Sequence, residues 1–323
     1  MKNITALAVL VIIVCAFNSK NPAYGLDFSK ERNYTFLAGV QFGLLNGLAR
    51  EIVYPSNTNT KGEFLSELLW EMAPAKFLGG SVDFGRTDPT KGFGFFSDFS
   101  FKIGIPEVTG RMEDRDWLSS ENSNLTNYSN HTNTMDKFYW LDFTAGVSIP
   151  VQSFLALKTF LTVSRMHLAF TGKDGYYQYA EKTGPGVYKP IEIAPIVQLE
   201  GEVIRYKQDW LMAAPGFGLY FKLPWNFAID MSFSMSSLTV CTAVDEHLRT
   251  KATYEDYTKW GIFMEGRGSI IYTAVRWLDL SFDFAYRHIG LAKGETFVNG
   301  IPSGKAGAGL SIMEVCFLAK FRL

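Results

Sequence analysis

Long apolar runs and cysteines are both scarce in this chain. Beyond residue 25 no stretch reaches the roughly 20 apolar residues that a membrane-spanning helix needs. Only Cys15, Cys241 and Cys316 occur in 323 residues, which excludes a disulfide framework for a domain of this size. An excess of charge of either sign is missing too. Lys and Arg total 31 against 32 Asp and Glu, so there is no polybasic footprint and no nucleic-acid partner is expected. No His/Cys cluster has zinc-ligand spacing, and no Gly-rich phosphate loop follows a strand. Neither a metal nor a resident cofactor is expected.

What is present begins with Lys2 and the apolar run Ile4 to Phe17, broken only by Thr5 and leading to Ala23-Tyr24-Gly25. A basic start, a short apolar core and an A-x-G site read as a secretory signal over 1–25, leaving 26–323 as one mature domain. Cys15 does not make this a lipoprotein signal, because Val14 is bulky where lipid attachment wants a small residue. Cys241 and Cys316 are expected as reduced side chains packed on a wall.

Alternation is the main signal in the mature chain. From Phe95 to Ile105 the odd positions are Phe95, Ser97, Phe99, Phe101, Ile103 and Ile105, and the even ones include Asp98, Ser100 and Lys102. At the C-terminus Val315, Phe317, Ala319, Phe321 and Leu323 form one face. Strands are expected near 34–54, 63–86, 93–118, 136–149, 153–179, 202–223, 226–248, 251–276, 279–293 and 306–323. Short turns near 88–92, Pro150, 223–225 and 277–279 alternate with long polar connections near 55–62, 119–135, 180–200, 248–252 and 294–305. Long strands with isolated charges on the polar face predict an all-β, ten-stranded antiparallel transmembrane β-barrel.

Strand parity then sorts the charged residues. In Gly110–Ser120, the even-numbered Asp114 and Asp116 point into the barrel at its outer end. On the seventh strand the apolar positions are odd up to Phe233 and even from Leu238, so a β-bulge is expected near Ser236-Ser237. Past it Asp245 and His247 point inward. Glu51 points inward at the same end of the first strand. Such a set can do general acid/base chemistry on water: a carboxylate orients an imidazole, and the imidazole takes a proton. Paired carboxylates opposite can hold that water. The competing reading is a solvated rim, the commoner fate of a D-x-D or D-x-H beside a loop. Of the other histidines, His131 is expected in a polar loop. His167 is expected at the outer interface, and His288 near the outer end of the ninth strand.

The residues that now stand together resemble the omptin family of outer-membrane endopeptidases. Met112-Glu113-Asp114-Arg115-Asp116-Trp117 is similar to the family's M-x-D-x-D-W segment, and Asp245-Glu246-His247 to its D-E-H segment. Leu45-Asn46-Gly47 through Glu51-Ile52-Val53-Tyr54, Ser164-Arg165, Gly175-Tyr176-Tyr177 and Tyr206-Lys207-Gln208 also fit in matching strand order. The resemblance implies a location in the outer membrane of a Gram-negative-type bacterium, with the site facing outward. It implies that Asp245 and His247 activate water, that Asp114 and Asp116 form the opposing couple, and that Glu51 receives a basic side chain of a peptide or protein substrate. Ala243 stands where the family has a second acid in that pocket, which puts strong dibasic specificity in doubt. The resemblance also implies a need for lipopolysaccharide. Arg165 matches a lipid-contacting position, although Leu161 and Val163 replace polar partners and an arginine snorkelling at the interface fits as well. Two alternatives remain: a catalytically silent barrel acting as adhesin or structural surface protein, and a general porin, which a narrow filled barrel disfavours.

Overall fold

The computed structural model describes residues 34–55 and 63–323. The expected signal at 1–25 lies outside the described residues. The chain runs β1 (Tyr34–Tyr54), β2 (Ser66–Arg86), β3 (Gly94–Gly104), β4 (Glu107–Asp116), β5 (Asn127–Gln152), β6 (Leu155–Tyr179), then β7 (Lys182–Gly184), β8 (Val187–Tyr188) and β9 (Ile196–Gln198). It continues with β10 (Glu202–Lys222), β11 (Phe227–Ser236), β12 (Thr239–His247), β13 (Ala252–Lys259), β14 (Phe263–Val275), β15 (Leu278–Val298) and β16 (Ile301–Arg322). Three walls are each made of two consecutive strands: β3 with β4, β11 with β12, and β13 with β14. Neighbouring walls pair antiparallel, and β16 pairs β1, so a ring of ten walls closes on itself. Closure leaves the ring itself without an unpaired edge, and β7, β8 and β9 lie outside it.

The expected ten-stranded antiparallel barrel is therefore the fold, and its outer surface is apolar. Phe217 is 59% exposed and Phe317 65%, and Val40, Phe42, Val82, Phe99, Phe143 and Phe284 are exposed with them. A soluble surface does not carry apolar area on this scale, whereas a wall facing hydrocarbon does. At one end exposed Lys137, Arg165, Lys207 and Lys259 bound this band. At the other, Trp225 and Trp277 are exposed at tight turns.

Inside the band the barrel is filled. Lys102, Arg267 and Arg287 face Asp142, Glu265 and Glu314, three cations against three carboxylates from five walls. Lys102 Nζ lies 2.6 Å from Glu314, Arg287 Nη1 2.6 Å from Glu314, and Arg267 Nη2 2.8 Å from Asp142. Trp140 donates to Asp142 at 2.6 Å, and the Arg287 guanidinium lies 4.1 Å from the Trp140 ring centroid. Above this network Trp70 stacks between Phe170 and Tyr206, and Met72, Met112, Met135 and Met166 fill the gaps. Below it a polar cavity of about 650 Å³ is lined by residues such as Asp98 and Lys320.

Several expected boundaries change. The strand expected over 93–118 breaks at Ile105-Pro106, and the one over 251–276 breaks around Trp260, whose φ is 65°. β5 starts at Asn127, so His131 lies within a strand and is buried, not in a polar loop. The connection expected over 294–305 is a two-residue turn, Asn299-Gly300, with both φ values positive (49° and 79°), as a tight hairpin turn needs. Asn, Gly and Pro in 299–304 had suggested a loop, but the strands on either side stay paired to the tip.

Removing Arg287 alone leaves three carboxylates facing two cations in a water-poor interior. We expect Arg287→Met to lose about 3–5 kcal/mol of unfolding free energy. Urea unfolding of the protein refolded into lipid vesicles measures this, and Arg287→Met combined with Glu314→Gln should recover part of the loss.

Candidate active site

The site sits at the charged end of the barrel, beyond the apolar band. Outward-facing Val244 is flanked in register by Lys207 and Glu255, so charge already replaces lipid-facing residues at the level of Asp245. The expected irregularity on this wall lies between β11 and β12. The Leu238 N–H donates to Ser236 Oγ at 2.8 Å, and the Thr239 N–H to the Ser237 carbonyl at 2.9 Å. Before it Met231 and Phe233 are exposed; after it Leu238 and Val240 are. The swap turns Asp245 inward, 2% exposed, and His247 Nε2 lies 2.7 Å from Asp245 Oδ2. Nδ1 of His247 makes no hydrogen bond among the described residues.

Asp114 and Asp116 also point inward, but by a less direct route than parity along one strand. The β3–β4 break shifts the faces once, and the irregularity between Val108 and Gly110 shifts them back. Gly110, at φ 128°, permits that bend, and a Glu71 carboxylate oxygen beside it accepts the Arg111 N–H at 2.9 Å. Ser66 donates to Asp114 Oδ1 at 3.3 Å, and Asn127 Nδ2 to Asp116 Oδ2 at 3.1 Å. Glu113 and Arg115 pair with each other on the outward face, with Glu67 beside them.

Glu51 points inward as expected and is 1% exposed. Beside it stands a carboxylate that sequence reasoning missed. Asp256 on β13 is 1% exposed and pairs in register with Ala243. In Tyr254-Glu255-Asp256 two acids are adjacent on a strand of eight residues, too short for its alternation to say which one turns in. The floor was also missed as such. Gln208 donates to Tyr206 Oη at 2.8 Å and accepts from Trp210 Nε1 at 2.9 Å, under the Trp70 stack.

Five carboxyls and one imidazole thus share the mouth, and their proton affinities move together. Burial, then the Asp116 charge, raises Asp114 well above the usual carboxylate value, and burial raises Asp116. Burial, then Asp256 and Asp245, raises Glu51. Burial pushes Asp256 up to about 6. Burial raises Asp245 even though the hydrogen bond from His247 opposes it. For His247 burial disfavours the cation, but the Asp245 hydrogen bond and the charges of Asp245, Asp114 and Asp116 outweigh it and push the imidazole up to about 9. The same negative field that loads the imidazole with a proton would be relieved by an arriving cation.

The remaining candidates separate from this group. His131 Nδ1 donates to the Asp174 carbonyl at 2.5 Å and Nε2 pairs with Ser129 Oγ at 3.1 Å, and burial lowers its proton affinity. His167 lies on the outer face, stacked on Tyr139 and 3.0 Å from Asp209. His288 pairs with Ser311 at 2.8 Å. Arg165 is exposed on the outer face, with Leu141 and Leu211 as its register neighbours. Cys241 and Cys316 are free and buried. Among the described residues no group of His, Cys, Asp and Glu has the geometry to hold a metal ion.

Because the folded value of His247 is raised from about 6.5 to about 9, its contribution to stability is fully present below about 6.5. That contribution is lost as the pH rises through about 9. Histidine ring NMR of the micelle-bound barrel should show one resonance, absent in His247→Gln, titrating near 9. Asp245→Asn should bring that titration down.

Comparison with known proteins agrees with this architecture. The Omptin family profile matches residues 32–308. The chain is 22% identical over 272 residues to a plasminogen activator of Yersinia pestis, covering 80% of this chain and 77% of that protein. Its fold superimposes on the outer membrane protease OmpT from Escherichia coli with a TM-score of 0.77 at 19% identity, covering 90% of this chain and 97% of that one. A ten-walled barrel whose mouth carries the Asp245–His247 pair, matched by the family profile over nearly the whole described chain, belongs to the omptin family.

Proposed function

We propose that this protein is an outer-membrane endopeptidase that hydrolyses peptide bonds at or near basic residues, with its site facing the extracellular side. The observation that carries the reading is the 2.7 Å contact between His247 and Asp245 opposite the Asp114–Asp116 couple. The relatives named a protease and a plasminogen activator support the peptidase class.

Asp245 orients the imidazole through Nε2 and stabilises it when charged. Nδ1 is then the nitrogen that takes a proton from water as the water oxygen attacks the peptide carbonyl. Burial and the Asp116 charge raise Asp114, so Asp114 can carry a proton and donate it to the carbonyl oxygen while Asp116 holds the water. The amine leaves with the proton His247 has collected, and no covalent intermediate with the protein is needed. Glu51 supports a basic side chain before the scissile bond. That side chain also adds positive charge near His247 and lowers its proton affinity toward the working range of a general base.

Lipopolysaccharide fits the outer wall as an activating partner. Exposed Arg165, with Lys137 and Lys207 at the same edge, forms a cationic patch above Leu141 and Leu211 that suits phosphate over acyl chains. The second reading, a catalytically silent surface barrel acting as adhesin or structural protein, is favoured by Ala243, which removes an acid from the pocket wall. A broad peptide library on wild-type protein in lipopolysaccharide separates the two.

Asp114→Ala, Asp245→Ala and His247→Ala should each lower cleavage of an arginine-containing peptide by about 100-fold or more while the barrel still folds. Turnover by refolded protein, with heat-modifiable migration on gels as the folding control, checks this. If all three variants keep wild-type turnover, the proposed chemistry is wrong. Wild-type turnover should also rise when lipopolysaccharide is added, and less so in Arg165→Ala.

A further inference from the structure

Beside the dyad, one patch of the mouth is rich in buried carboxyl oxygens and has no cation among the described residues. Glu51 Oε2, Asp245 Oδ1, both Asp256 oxygens and Thr296 Oγ1 are buried without a well-formed hydrogen bond, and among the described residues Asp256 has only Glu51 and Thr296 near enough to interact with its carboxyl as weak partners. They belong together. Asp256 pairs in register with Thr296 on β15 and with Ala243 on β12, and Asp245 is two residues beyond Ala243 on the same face. Glu51, from β1, feels the charges of both Asp256 and Asp245. Buried oxygens without donors are costly, and a group of them in one place calls for a donor-rich partner. No lysine or arginine among the described residues forms an ion pair with Glu51 or Asp256.

The chemistry of the missing partner follows from what the patch offers. It offers several acceptor oxygens from three carboxyls, and its own donors are only the Thr296 hydroxyl and whatever proton the carboxyls share; among the described residues it has no cation. A guanidinium carries five N–H donors in a rigid fork and no acceptor, and it pairs with carboxylates bidentately. An ammonium carries three donors on a compact centre. We infer that Asp256, together with Glu51, forms the receptor for a guanidinium group and makes this site select arginine over lysine and over neutral residues. The acid that Ala243 cannot provide is supplied from the next strand, one register position across. Ala243 is small enough not to cover it.

Protons take part in this recognition. The groups facing the pair are Asp245 and Cys241 from β12, Tyr206 from β10, Tyr254 from β13 and Asp114 from β4. The wall between them, Ala306 and Ala308 of β16, brings no charge. Burial and the charges of Asp256 and Asp245 raise the proton affinity of Glu51. An arriving guanidinium lowers the proton affinity of both carboxyls, so binding shifts protons from the pair to the buffer.

The inference rests on the peptidase reading only for its turnover arm. Refolded wild type and Asp256→Asn, in lipopolysaccharide, are given matched peptides with arginine, lysine or citrulline before the cleaved bond. Citrulline keeps the shape of arginine without its charge. Wild type should favour arginine over lysine and lysine over citrulline, and Asp256→Asn should lower the arginine-to-citrulline ratio of kcat/KM by about tenfold or more. An unchanged ratio in Asp256→Asn overturns the inference. If Asp256→Asn does not show heat-modifiable migration, Thr296→Val is read in the same way, with a smaller loss expected. If wild type cleaves none of the peptides, the peptidase reading fails, and calorimetry with agmatine decides the receptor separately. Agmatine binding to wild type with proton release, seen as different heats in two buffers, and weakened in Asp256→Asn, supports it. Equal binding to both proteins overturns it.

Discussion

Period-two alternation on a closed ring is the constraint on which everything else here depends. Once β16 pairs β1, the ring of ten walls has no free edge, and each residue within the band must face either hydrocarbon or the filled interior. A single inserted residue therefore transfers every later side chain from one environment to the other. The chain uses this at two places that matter. The break at Ser237 turns Asp245 and His247 inward, and the paired irregularities before Arg111 return Asp114 and Asp116 to the interior. Without the break at Ser237, Asp245 and His247 would face the outer surface, and with only one of the two irregularities before Arg111, so would Asp114 and Asp116.

The interior is layered by charge. In the membrane-embedded part, three cations are matched to three carboxylates, which is how buried charge is tolerated without water. An aromatic and methionine layer separates this neutral network from the mouth. At the mouth the balance is abandoned: five carboxyls face one imidazole. A protein that needed only stability would gain nothing from such a cluster, since like charges in a shared, poorly solvated space repel and hold protons they would otherwise lose. The imbalance is meaningful if a positive group arrives to complete it. The neutral lower layer and the acidic upper layer thus divide the barrel into a part that holds its shape and a part that awaits a ligand.

Much of the fold was legible in the sequence, and the reason is geometric. Strands such as β1 and β6 keep one register over many residues, so their alternation is long enough to read. The start of β5 was not legible, because Asn, Ser, Thr and His alternate no hydrophobic signal even though the backbone is paired there. The Asn299-Gly300 turn was hidden for the opposite reason: turn residues extend into strands that their neighbours keep in place. The inward direction of Asp114 came out right although its strand is interrupted, because two irregularities cancel. That agreement was a matter of compensation and could not have been read from parity alone.

By itself the sequence determined the barrel, the inward pairing of Asp245 with His247 at a spacing of two, and the identity of the acids opposite them. These are local properties of single strands, governed by pleat and spacing. Only the tertiary structure decided that Asp256 stands beside Ala243 and faces Glu51. Those residues lie on strands far apart in the chain, and ring closure alone brings them together. Register between strands depends on the turns, breaks and bulges of every wall in between, and no single segment encodes that sum.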